Sequence, residues 1–184
     1  GGGGPGDGQI MSSGDIAIGP SGNIYLADTG HNRIQVFTPN GAFVRKWGTL
    51  GNASGQFFSP IGIAIGPTGT VYVSEHRNHR IQVFTADGGF IQKWGDSADG
   101  QGNFLTARSP VVDAFGNVYI VDPRGHRVQK FDSEGNFLLQ WGSRGAGNGQ
   151  FEWPSFGAID SAGNVYVTSG TTDQYPRVQK LDQI

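Results

Sequence analysis

Gly69 to Trp94 reads GTVYVSEHRNHRIQVFTADGGFIQKW. It is a β-branched and aromatic run to Glu75, a polar loop, the run from Arg80 to Phe84, an Asp87-Gly88 turn, and a last run from Phe90 to Trp94. The pattern returns every 47 residues, with its turn glycine at Gly22, Gly69, Gly116 and Gly163 and its tyrosine at Tyr25, Tyr72, Tyr119 and Tyr166. Trp47, Trp94 and Trp141 keep the same spacing. Self-similarity at one fixed period marks a repeat architecture, in which each unit buries its apolar faces against its neighbours. The units are 8–54, 55–101, 102–148 and an incomplete 149–184, and residues 1–184 form one domain or part of one.

Working outward, each unit begins with a junction, Gly8-Gln9-Ile10, Gly55-Gln56-Phe57, Gly102-Asn103-Phe104 or Gly149-Gln150-Phe151, whose apolar third residue is expected to plug the gap between units. Four short strands follow. The first is read at Asp15–Ile18, Gly62–Ile65, Ser109–Val112 and Phe156–Ile159. Hairpin glycines then supply the positive φ of tight turns. There is no helical period, and runs bounded by Gly, Asn, Asp and Pro argue an all-β chain. Ile63-Ala64-Ile65 and Ile81-Gln82-Val83-Phe84 are nearly continuous apolar runs, whereas Phe43 to Trp47 alternates. Inner strands covered on both faces beside a more polar outer strand are the profile of a β-propeller blade.

Composition removes some classes of function. The 184 residues carry 13 basic and 15 acidic side chains for a net charge of −2, with no basic footprint for nucleic acid. The absence of cysteine excludes disulfides and thiolate metal sites. No apolar run reaches the roughly 18–20 residues of a membrane-spanning helix.

Asp28 with Arg33, Glu75 with Arg80 and Asp122 with Arg127 stand five residues apart across the hairpin from second to third strand. Because they recur once per unit, they read as structural ties through charge-assisted hydrogen bonds rather than as acid/base pairs. His31, His76, His79 and His126 fall in the same loops, but only His76 and His79 are neighbours, so no metal site is assigned. Trp47, Trp94 and Trp141 are expected to pack each outer strand against the next blade.

The pattern Pro60-x-Gly62-Ile-Ala, Gly69-x-Val-Tyr-Val, Asn78-x-Arg80-Ile-Gln-Val-Phe, Gly88-x-Phe and Trp94-Gly95 resembles the NHL repeat over essentially the whole chain. The resemblance implies a β-propeller of four-stranded blades, most often six in number. One zinc lyase of that family, the peptidyl-hydroxyglycine amidating lyase, carries metal histidines at positions that match Gly14, Ile61, Arg108 and Ser155 here. None is histidine, so the resemblance does not carry that activity. No cofactor is assigned, and a non-enzymatic module that binds protein or ligand, extracellular or secreted, is the expected class. A structural subunit joined through its terminal blades is the alternative, and a lyase-like enzyme comes third.

The fourth unit departs from the pattern. Ser169 replaces the acidic residue of the pair, and the segment Gly170 to Pro176 is read as a loop lengthened by three residues. Trp153 and Phe156 are aromatic where the other units are not. Repeats relax their pattern where function requires it, so Arg108, Ser155, Phe156, Thr171, Asp173 and Tyr175 are the candidate ligand-binding residues. No strand equivalent to Phe43–Trp47 follows Arg177–Leu181. The chain is therefore expected to be part of a longer propeller or to self-associate, with protein or its own copies as partner.

Overall fold

The computed structural model describes residues 3–171 and 174–181, without the side chains of 171, 174 and 175. Among the described residues fifteen strands form four antiparallel sheets. The first sheet is β1 (Ser13–Ile18), β2 (Ile24–Asp28), β3 (Arg33–Phe37) and β4 (Phe43–Trp47). The second is β5 (Pro60–Ile65), β6 (Val71–Glu75), β7 (Arg80–Phe84) and β8 (Phe90–Trp94). The third is β9 (Arg108–Val112), β10 (Val118–Asp122), β11 (Arg127–Phe131) and β12 (Phe137–Trp141). The fourth has three strands, β13 (Gly157–Ile159), β14 (Val165–Thr171) and β15 (Gln174–Leu181). Each sheet is an up-and-down meander, and the inner strands β1, β5, β9 and β13 pack successively against one another. This is the blade arrangement of a β-propeller.

The core lies between blades. Tyr25, Ala27, Ile34 and Val36 of the first blade pack with Phe57, Ile63, Val71, Val73 and Phe84 of the second unit. The pattern repeats around Phe104 and Phe131, and again around Phe151. Phe57, Phe104 and Phe151, the third residues of the junctions, are fully buried. Each such side chain contributes about 1.5–3 kcal/mol by leaving water. Phe57 meets Phe84 at 5.5 Å between ring centroids, and Phe104 meets Phe131 at 5.7 Å.

Trp47 lies across the blade boundary with its ring centroid 5.8 Å from that of Phe84, and Trp94 does the same toward Phe131 at 5.8 Å. The tryptophan ring covers the turn of the next blade so closely that a Cβ on Gly88 would lie 2.7 Å from Trp47 Cδ2. Gly88 also has φ +88°, so the turn and the contact both require glycine. Trp141 instead stacks on Tyr119 of its own blade, at 6.0 Å and 24°, and packs against the cluster that includes Val165, Val167 and Leu181.

Two expectations are corrected. The segment from Gly170 to Pro176 is not wholly an enlarged loop: β14 runs on to Thr171 and β15 begins at Gln174, Thr171 pairing with Gln174 after a register shift. The added residues extend the antiparallel ladder because both sides continue to satisfy backbone donors and acceptors. The first strand of unit four begins at Gly157, not Phe156, whereas the earlier units begin theirs at Ser13, Pro60 and Arg108.

Candidate functional site

Across β2 and β3, β6 and β7, and β10 and β11, the acidic residue and the arginine are register partners: Asp28 with Arg33, Glu75 with Arg80, Asp122 with Arg127. Each carboxylate is buried and collects several donors. Glu75 accepts from Arg80 Nε at 2.6 Å, Asn78 Nδ2 at 2.6 Å, Gln82 Nε2 at 2.8 Å and the Phe58 N–H at 2.9 Å. Asp28 accepts from Arg33 Nε at 2.8 Å and Gln35 Nε2 at 3.1 Å, with His31 Nδ1 at 2.9 Å. Asp122 accepts from Arg127 Nε at 3.1 Å and the Thr106 N–H at 2.8 Å. The other guanidinium nitrogens hold the junction of the same unit, as Arg80 does by donating to the carbonyls of Asn52, Ala53 and Gln56. These carboxylates are structural hubs, enclosed by their own donors.

Burial acts against ionisation of Asp28, but the donors from Arg33, His31 and the Met11 N–H outweigh it and hold the carboxyl below its usual range. At Asp122 burial dominates and raises the pKa, the Thr106 and Arg127 donors offsetting only part of it.

The same hairpin loops surround a groove of about 340 Å³ near the inner strands of blades two to four. His76, Pro123 and Arg124 come from the second-to-third loops, Ile61 and Arg108 from the start of the first strands, Thr106 from the segment just before β9, and Trp153 from the fourth junction. Three other histidines are held elsewhere: His31 by Asp28, His79 Nδ1 against the Leu105 carbonyl at 2.9 Å, and His126 Nδ1 against the Phe151 carbonyl at 3.2 Å. The Arg108 guanidinium lies 5.2 Å above the Phe156 ring, a cation–π contact. The Trp153 ring lies 5.6 Å from that of His126, and Trp153 holds φ +50°, an unusual conformation for a bulky residue. Burial first, then the charges of Arg77, His79, Arg108 and Arg124, lower the His76 pKa from its ordinary 6.5. The imidazole is therefore neutral at pH 7 in a positive setting.

A larger cavity of about 630 Å³ opens on the hairpin turns of blades three and four, beside the exposed Phe115. Its carboxylates are occupied within their own turns. Asp113 accepts from the N–H groups of Phe115 and Asn117 and from Asn117 Nδ2, and Asp160 likewise from Ala162 and Asn164. The groove at Arg108 is the better candidate because its charged groups are not consumed by local structure.

The NHL repeat profile matches residues 14–37 and 57–84, which cover the first three strands of blade one and of blade two. The chain is an NHL-repeat β-propeller. No curated protein matches this NHL propeller in sequence. Among solved structures it resembles hydrazine synthase of Kuenenia stuttgartiensis at TM-score 0.71 and 11% identity, over 94% of this chain and 46% of that one. It resembles the gluconolactonase XC5397 of Xanthomonas campestris at TM-score 0.64 and 21% identity, over 90% of this chain and 56% of that one. A chain of a nidogen/laminin complex matches at TM-score 0.63 and 18% identity, over 93% of this chain and 65% of that one. The NHL propeller thus spans less than two thirds of each, and at these identities the likeness is one of fold.

The structure brings Arg108 and Phe156 together and places Ser155 beside them, its hydroxyl donating to the Trp153 carbonyl at 3.2 Å. Thr171 and Tyr175 fall on β14 and β15 with side chains outside the described detail, and Asp173 lies outside the described residues. Sequence reasoning missed His76 and Arg124 as members of the site. The available signal was positional: Arg124 is one period after Arg77, and both stand in the loop that follows the acidic residue of the pair. Among the described residues no group of three or more His, Cys, Asp or Glu could hold a metal, and no helix is long and apolar enough to cross a membrane.

Proposed function

We propose that this NHL propeller is a non-catalytic binding module, and that the groove at Arg108 receives an acidic segment of a protein partner carrying an apolar or aromatic side chain. The observation that carries the reading is the convergence of Arg108, Arg124, a neutral His76 and the exposed Trp153 on one groove. The two guanidiniums suit carboxylates, which arginine binds through paired donors, and Trp153 offers the apolar face. The described lining residues include no carboxylate, and the Thr106 hydroxyl already donates to the Leu105 carbonyl at 2.7 Å. That set favours recognition over acid/base chemistry.

The test is titration with a peptide carrying aspartates beside a phenylalanine, and with its lysine counterpart. The tryptophan emission that is lost in Trp153→Phe should change saturably with the acidic peptide alone, and the His76 pKa followed by NMR should rise. Arg108→Ala should remove both responses. If neither probe responds, the reading fails. Hydrolysis of a sugar lactone by the wild type that is lost in Arg108→Ala would replace binding with an enzymatic reading.

A specific observation favours a second reading, assembly through the flanking blades. The outer edge of β15 has no strand beside it among the described residues, and Ile16 and Ile18 of β1 are 60% and 71% exposed. An unpaired edge and an apolar flank are surfaces on which further blades of this kind pack.

A further inference from the structure

In the fourth blade Ser169 is the register partner of Arg177, the relation that Asp28, Glu75 and Asp122 have to their arginines. The arginine fork is kept. Arg177 Nη2 donates to the Gly147 carbonyl at 2.8 Å and to that of Gln150, and Nη1 donates to the Ala146 carbonyl. Gln179 Nε2 donates to the Gln150 carbonyl at 2.6 Å, as Gln35 and Gln82 do to the matching carbonyls of Gln9 and Gln56. Only the acceptor of the cradle has changed. Arg177 Nε and Ser169 Oγ are buried and have no hydrogen-bond partner among the described residues, and Ser169 is only 6% exposed.

Buried donors are nearly always paired, and each exception calls for an explanation. In the other three blades the equivalent Nε has a carboxylate oxygen at 2.6–3.1 Å. Arg177 has no acidic partner among the described residues, and the acid of its junction, Glu152, is engaged with Arg144 at 3.4 Å. Ser169 supplies a hydroxyl that can donate to an anion, whereas a carboxylate at that position would only accept. Arg177 as a whole residue is half-buried, although its Nε is buried.

We infer that the fourth blade holds a carboxylate-binding site, in which Arg177 Nε and the Ser169 hydroxyl donate to a small monocarboxylate or to an Asp or Glu side chain brought by another chain. The incoming group takes the place that Asp28, Glu75 and Asp122 hold in their own blades. Three repeats carry their anion covalently, and the fourth takes it from outside.

Formate, N-acetylaspartate amide and chloride at matched ionic strength are the probes, read by thermal denaturation of the full chain and by the NMR resonance of the Arg177 Nε–H. The expected result is a saturable rise in melting temperature of about 2–4 °C with a carboxylate relative to chloride, with a shift of the Nε–H resonance. A stronger response to formate identifies a free anion as the natural occupant, and a stronger response to the aspartate amide identifies a protein side chain. Ser169→Asp should raise the melting temperature without added anion and erase the response. Arg177→Gln should erase it too, and if that variant is poorly folded the wild-type Nε–H shift still decides. Equal behaviour in chloride and carboxylate with an unmoved Nε–H resonance would overturn the inference, as would an unchanged carboxylate response in Ser169→Asp.

Discussion

Arg80 and Glu75 face each other across the ladder between β7 and β6, with Nε donating to Oε1 at 2.6 Å and both residues buried. The same arginine reaches back to three carbonyls of the preceding junction. It therefore joins a local hairpin to a segment roughly half a repeat away. Arg80→Ala should lower stability by about 1–3 kcal/mol, because Glu75 keeps its Asn78, Gln82 and Phe58 donors but loses its charged one. An unchanged urea midpoint would show that the hub is not a stabilising tie.

Gly41, Gly88 and Gly135 occupy one turn position with φ between +80° and +88°, but their surroundings differ. A Cβ on Gly41 meets nothing within 4 Å, while on Gly88 or Gly135 it meets Trp47 or Trp94 at 2.7 Å. Alanine at each site incurs about 1–2 kcal/mol of left-handed backbone strain. Gly88→Ala and Gly135→Ala should therefore be clearly more destabilising than Gly41→Ala in thermal melts. Equal losses at all three would mean that the tryptophan contact does not hold neighbouring blades together.

The Asp28 carboxyl is held below its usual value in the folded chain, so its contribution is present above the unfolded carboxylate pKa near 4 and is lost as pH falls through the lowered one. Asp28→Asn should remove that part of the acid sensitivity. Asp122 is raised, so the folded state takes up its proton more readily than the unfolded one, and lowering the pH favours the fold at that hub. Hydrogen exchange below pH 4 should open blade one before blade three. The reverse order would contradict the assigned directions.

The edge of β15 provides a test of assembly. Its backbone amides should exchange faster than those of β7, which is paired on both sides. Light scattering should give a mass that rises with concentration, and Val178→Lys, at a residue 65% exposed, should return it to that of a single chain. A constant single-chain mass with full protection of β15 would count against association through this edge.

The 47-residue period, the four strands of a unit and the carboxylate–arginine pairs were legible in the chain because each is local: a strand, a turn and a register partner lie within one repeat. The junction phenylalanines were legible for the same reason, since an apolar residue returns at one repeat position, but only Phe57, Phe104 and Phe151 are fully buried there and Ile10 of the first unit is half-buried. What the tertiary structure decided lies between repeats. His76, Arg108, Arg124 and Trp153 share no sequence motif, and they meet because the inner strands of three blades converge. Gly170, Thr171 and the residues from Gln174 to Pro176 have loop-like composition but are strand, because pairing across β14 and β15 satisfies the backbone there. That Arg177 Nε has no partner among the described residues could not be read from sequence either. The Ser169 substitution was visible there, but whether another acid had moved in to replace the missing carboxylate depended on the packing of the fourth blade.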